Sequence, residues 1–167
     1  MTTALNDLRA ATAVPSCMQS DARRDLLDAR WVYPDSHGVR LARWHMASVL
    51  AEAGCDRGLV RCVEQIAAEL LTNAVLHGCT KPGHRAHLKV SAEDGALLVE
   101  VLDPSTDLPR AVASRPENEH GRGLLLVEEL ADAWGVHEHE GVGKTVWARC
   151  SPVQLPHHPS DEEEQAC

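Results

Sequence analysis

From Val63 to Val75 the apolar side chains recur at helical spacing. Val63, Ile66, Ala67, Leu70, Leu71, Ala74 and Val75 follow an i, i+3, i+4, i+7 pattern, which calls for an α-helix with one buried face. Gly78 stands just beyond as a stop signal. At about 100° per residue the apolar positions centre near Leu70 and Ala74, and Glu69, Asn73 and His77 advance toward that centre by about 40° per step. Three polar side chains therefore run along the margin of the buried face, where they line the wall of a cleft. Taken singly, each reads first as a boundary residue satisfied by backbone or water. Taken together, a carboxylate beside a carboxamide offers a base and a hard oxygen ligand for Mg2+, an ion that takes one or two protein oxygens and leaves its other positions to water and phosphate.

The rest of the chain arranges itself around this helix. Residues 1 to 24 show no sustained period and contain Pro15, which predicts a flexible N-terminal arm. "RWVYP" (30 to 34) has strand composition, and a helix is predicted from Ser36, with Val39, Leu41, Ala42, Met46, Val49 and Leu50 at helical steps until "AGCDRG" breaks it. "AHLKVSAEDGALLVEVLD" (86 to 103) reads as a hairpin about Asp94-Gly95, a dipeptide suited to the positive φ angles of a tight turn. Residues 104 to 120 carry three prolines and no apolar period; a loop of that length inside a domain is usually functional, often a lid. "GRGLLLVEELADAW" restarts a helix, and "GVHEHEGVGKTVWARC" predicts two strands turning near Gly141 to Gly143. Antiparallel hairpins beside helices, instead of alternating βαβ units, predict an α+β, two-layer sandwich with the helices on one face of a mixed, mainly antiparallel sheet. The expected organisation is an arm (1–24), one domain (25–150) and a disordered acidic tail (151–167).

The 167 residues suffice for one domain with a real core. Aromatics are only 3% and phenylalanine is absent, so that core must be built from Leu, Val, Ala and Ile. A formal charge of -9 argues against nucleic acid as a partner, since phosphate tracking needs clustered Lys and Arg. The run Asp161 to Glu164 reads as a solvated tail. Six cysteines without a C-x-x-C pair, and ten histidines without tetrahedral spacing, signal neither a disulfide framework nor a zinc site. Reduced thiols, no membrane segment and a cytoplasmic location are the expectations that follow.

Three further stretches carry chemistry. Asp103 ends the apolar strand "ALLVEVLD", where a carboxylate either caps a turn or accepts a hydrogen bond from a ligand amino group. In "HGRGLLLVEEL", Gly121 and Gly123 allow close backbone approach, and the helix that follows offers free N–H groups to a phosphate. A dinucleotide-binding reading fails because Leu126 stands where the third glycine belongs. "GVGKTVW" suggests a P-loop, but the first glycine of that motif would fall at Glu138 and Gly-Lys-Thr runs into a strand, so the reading is rejected.

Taken in order, "ELLTNAVLHG", "VLDPS", "GRGLLLVEELADAWGV" and "GKTVWA" resemble the GHKL, or Bergerat-fold, ATP-binding superfamily over roughly residues 30 to 150. Within it the chain is most similar to the bacterial anti-sigma-factor serine/threonine kinases and their actinobacterial relatives. The resemblance implies ATP and Mg2+ as cofactors. Asn73 would coordinate Mg2+ between the ATP phosphates, and Glu69 would be the catalytic base. Asp103 would receive the adenine amino group, with Thr145 supplying a supporting hydroxyl. Gly121, Arg122, Gly123 and Leu124 would form the second glycine box, with residues 104 to 120 as the lid. His77 matches a position that is often basic and carries no defined role. The first glycine box departs from the family's Asp-x-Gly, reading Asp103-Pro104-Ser105 with Ser105 in the glycine's place, and the lid is short of glycine. The implied partners are an anti-anti-sigma protein of the STAS type, as phosphate acceptor, and a sigma factor that competes for an overlapping surface. Homodimerisation is common in that family and is carried over only as an implication of the resemblance. The altered first box favours an alternative, a non-catalytic regulatory binding module that keeps the fold. The intact Glu69 and Asn73 favour the kinase.

Overall fold

The computed structural model describes residues 24–105 and 123–152. Nearly all of the predicted arm, most of the lid, Gly121, Arg122 and the tail beyond residue 152 lie outside the described residues. Five strands and three helices follow in the order β1 (Asp25–Val32), α1 (Ser36–Glu52), α2 (Arg57–Asn73), a π-helical turn (Ala74–Gly78), β2 (Ala86–Glu93), β3 (Ala96–Asp103), α3 (Gly123–Leu130), β4 (Ala133–His139) and β5 (Gly143–Cys150).

Short-range chemistry explains where most elements begin. Asp35 caps α1 by accepting from Gly38 N at 2.6 Å. Asp56 caps α2 by accepting from Gly58 N at 2.7 Å and Leu59 N at 3.2 Å, satisfying two of the four amides a helix start leaves open. The β2–β3 turn falls at Asp94 (φ 48°) and Gly95 (φ 76°), both left-handed, as the Asp-Gly pair predicts. β1 begins earlier than "RWVYP" suggested, at Asp25, and passes through an irregularity between Leu26 and Asp28.

The sheet order is β1-β2-β3-β5-β4, and all four pairings are antiparallel. The α+β expectation holds, and the parallel component that a mixed sheet would need is absent from the described strands. Alternate residues of one sheet face, Leu88 and Val90 on β2, Val99 and Val101 on β3, and Val146 and Ala148 on β5, are buried with Leu59, Val63, Ile66, Leu70 and Leu71 of α2 and Met46 and Leu50 of α1. On the same face Arg30 of β1 holds Asp28 at 2.6 Å and reaches His45 of α1 at 2.6 Å. The core is aliphatic throughout. Truncating a fully buried member such as Leu71 to Ala removes about 2–5 kcal/mol.

Two elements end differently from their sequence pattern. The helix predicted over 121 to 134 stops at Leu130, and Ala133 and Trp134 belong to β4. Asp132 N donates to Arg149 O at 2.8 Å and Trp134 pairs with Ala148, so the ladder to β5 captures residues whose own preference is helical. After Asn73 the backbone widens into a π turn, closed by Cys79 N donating to Ala74 O at 2.8 Å. Such turns recur at functional sites.

Candidate functional site

The polar stripe of α2, the ends of β3 and β5 and the start of α3 converge, and three glycines mark the points of contact. A Cβ on Gly123 would press on Glu69 Oε2, so the Glu69 carboxylate lies against the first residue of α3. A Cβ on Gly78 would overlap the Asp103 carboxylate. Gly143 adopts φ +132°, and a side chain there would overlap the Asp103 carbonyl oxygen. Each glycine lets one motif close on another.

Glu69 and Asn73 are half-buried and one turn apart on α2. Among the described residues neither side chain makes a hydrogen bond or ion pair. A carboxylate at the start of a helix is favoured by the helix dipole, and an unpaired carboxamide one turn on leaves a second oxygen available. This donor set fits Mg2+, which keeps open positions for phosphate and water. No cluster of three or more His, Cys, Asp or Glu able to hold a metal occurs among the described residues.

Asp103 is buried and already engaged. Its Oδ1 accepts from Ser105 N at 2.8 Å and from Lys144 Nζ at 2.9 Å, and Lys144 also donates to Ser105 O at 3.3 Å. The pair follows from sheet register, since Asp103 lies directly across from Lys144 on the helix-facing side. Cys79 adjoins the pair: burial pushes its thiol pKa up, the Asp103 charge pushes it further, and Lys144 offsets part of this.

Glu69 therefore meets Gly123 on one side, with Asn73 one turn along α2, and Asp103 meets Ser105 and Gly78 on the other. Thr145 is not brought to Asp103. It pairs with Leu102 and His137 on the opposite face and bonds His139 Nε2 at 2.8 Å. His77 is exposed and without a bonded partner among the described residues. The Leu124 side chain belongs to the core, so only its backbone is available to a ligand. Lys144 was missed in reading the sequence, although a signal existed: Val146, Ala148 and Cys150 alternate as core residues, and the same period places position 144 inward.

The family model for the histidine kinase-like ATPase domain matches residues 34–150. The chain belongs to this family. The GHKL resemblance read from the sequence thus holds at the level of the family. A solved structure, the RsbU and RsbW domains of Rv1364c from Mycobacterium tuberculosis, is similar to this domain with a TM-score of 0.55 and 20% identity. The match covers 74% of this chain but only 32% of that one, and at this identity it concerns the fold alone. A search of curated proteins found no match. Among the described residues no helix is long and apolar enough to cross a membrane.

Proposed function

We propose that this chain is an ATP-dependent serine/threonine protein kinase of the anti-sigma-factor type, which phosphorylates a STAS-type anti-anti-sigma protein and regulates a sigma factor by partner switching. The observation that carries the reading is the pair Glu69 and Asn73, half-buried, one turn apart and unpaired within the described protein, with Glu69 against the start of α3. Asn73 would hold Mg2+, which when bound neutralises charge on the β and γ phosphate oxygens. Glu69 orients the acceptor serine and takes its proton as the serine oxygen bonds to the γ phosphorus and the bond to the β–γ bridging oxygen breaks, releasing ADP. Such catalysis is mainly positioning and electrostatics. The phosphate placed on the acceptor adds about -1.5 to -2 charge, enough to disrupt a complex built on the unmodified surface.

A second reading, a regulatory module that binds its partner without transferring phosphate, is favoured by one observation: Ser105 stands where the first glycine box has its glycine. Phosphate transfer separates the two. Glu69→Ala is expected to lower transfer from radiolabelled ATP to the acceptor by about 10²–10⁴-fold while leaving ATP affinity within about threefold. Asn73→Ala is expected to weaken Mg·ATP binding itself by about 10–100-fold. Small, equal effects of both on both quantities would remove the assigned roles, and binding of the acceptor without any transfer by the unmodified chain would establish the regulatory module.

A further inference from the structure

The contacts of Asp103 and Lys144 leave one acceptor and one donor unused. An ammonium carries three N–H groups, and Lys144 directs two of them, to Asp103 Oδ1 at 2.9 Å and to Ser105 O at 3.3 Å. Asp103 Oδ1 also accepts from Ser105 N, which fills its two lone pairs. The third N–H of Lys144 and the Oδ2 of Asp103 have no partner among the described residues. Both side chains are almost fully buried, at 5% and 3% exposure, yet Asp103 Oδ2 is not among the sealed, unpartnered atoms, so it stays open to water or to a ligand that replaces it. A ligand edge with a donor beside an acceptor would complete both.

We infer that Lys144 is a specificity-determining residue that reads the base together with Asp103: its ammonium donates to N1 of adenine while Asp103 Oδ2 accepts from the 6-amino group. The inference rests on the ATP reading above and assigns the discrimination between purines to one cross-strand pair. Adenine presents the amino donor and the N1 acceptor that the pair requires. A 6-oxopurine reverses both, setting a carbonyl oxygen against the carboxylate and an N1–H against the ammonium. Neither mismatch is relieved by the neighbours. Gly78 packs directly on the carboxylate, the backbone of Asp103 and Pro104 is pressed against Gly143, and among the described residues the ionisable Cys79 and the exposed Glu138, which pairs with Lys144 on β4, also neighbour the pair.

The test is calorimetric titration of the full chain with Mg·ATP and with the magnesium complex of inosine triphosphate, which differs from ATP only in the 6-substituent and the N1 proton. The unmodified chain is expected to prefer ATP by about 100-fold or more, since a site built to hydrogen-bond a base rejects an analogue that reverses the pattern. Lys144→Met is expected to reduce the preference to about tenfold or less, mainly by weakening ATP, and Lys144→Arg to retain most of it. A residue that only shored up the fold would weaken both nucleotides equally, so the ratio is the readout. Because Lys144→Met leaves a buried carboxylate without its partner, the double variant Asp103→Asn with Lys144→Met serves where the single one does not fold; lacking both charges, it should bind the two nucleotides within about threefold of each other. Intact ATP binding with an unchanged ratio in these variants, or equal binding of the two nucleotides by the unmodified chain, would overturn this inference alone. Binding of neither nucleotide by the unmodified chain would overturn the ATP reading and this inference with it.

Discussion

Cys62 shows how much a single neighbour can change a side chain. It lies half-buried on α2, with its Sγ donating to Leu130 O at 3.4 Å. A hydrogen bond from the Cys150 thiol lowers its pKa to about 7, against the opposing effects of burial and the Asp132 charge. The same contact, together with burial, pushes Cys150 up and keeps it protonated. The thiolate is the reactive form, so alkylation of Cys62 should rise with pH through about 7 instead of through the ordinary value near about 8.5. Peptide mapping after timed alkylation across pH 5.5–9.5, an order-of-magnitude bracket of those values, measures this directly. Cys150→Ala should move the midpoint back upward, and a midpoint unmoved by that change would show that the neighbour is not the cause. Thiols are otherwise mixed in state: Cys62, Cys79 and Cys150 are free, whereas Cys55 is disulfide-bonded, which corrects the expectation of reduced cysteines at that position.

At the scale of elements, stability and function meet where helix and strand ends touch. Asp56 accepts from Gly58 N and Leu59 N at the start of α2, the helix that carries Glu69 and Asn73. Asp56→Ala should cost about 1 kcal/mol through the lost cap. Gly143 opens β5 at φ +132° with the Asp103 carbonyl where a Cβ would stand. Gly143→Ala should therefore cost more, because about 1–3 kcal/mol of backbone strain is added to an overlap that only movement of β3 can relieve. Urea denaturation of both variants checks the order; an alanine at 143 less costly than one at 56 would contradict the close packing of the β3 and β5 ends. The π turn belongs to the same argument. By taking one more residue than an α-helical turn it sets Gly78 against Asp103, and so couples the Glu69–Asn73 stripe of α2 to the Asp103–Lys144 pair.

For the whole molecule, ligand binding and folding are linked. On the proposed reading, Mg·ATP held between α2, α3 and the sheet end would bind only the folded domain. At a ligand concentration about 100 times Kd the gain is about 2.7 kcal/mol, which for a domain of this size corresponds to a rise in Tm of roughly 5–11 °C. Scanning calorimetry with ATP, with and without Mg2+, measures it. The rise should collapse on chelation of the metal and in Asn73→Ala. A rise that is the same without magnesium would remove Asn73 from its role and leave nucleotide contact to Asp103 and the start of α3.

How much of this was legible follows from the range of each signal. The sequence by itself determined α1, α2 and the β2–β3 hairpin, because caps, apolar period and the Asp94-Gly95 turn all act within a few residues. It also presented Glu69, Asn73 and Asp103 as candidates, since each breaks an otherwise apolar pattern. Only the tertiary structure decided which of the adjacent residues Lys144 and Thr145 faces Asp103. That choice depends on the register between β3 and β5, about 40 residues apart in the chain, and a one-residue slip there would exchange the two faces. The end of α3 at Leu130 has the same origin, because a ladder to β5 outweighed local helix preference. Where a contact joins distant segments, its energy belongs to the pair, and neither segment read alone contains it.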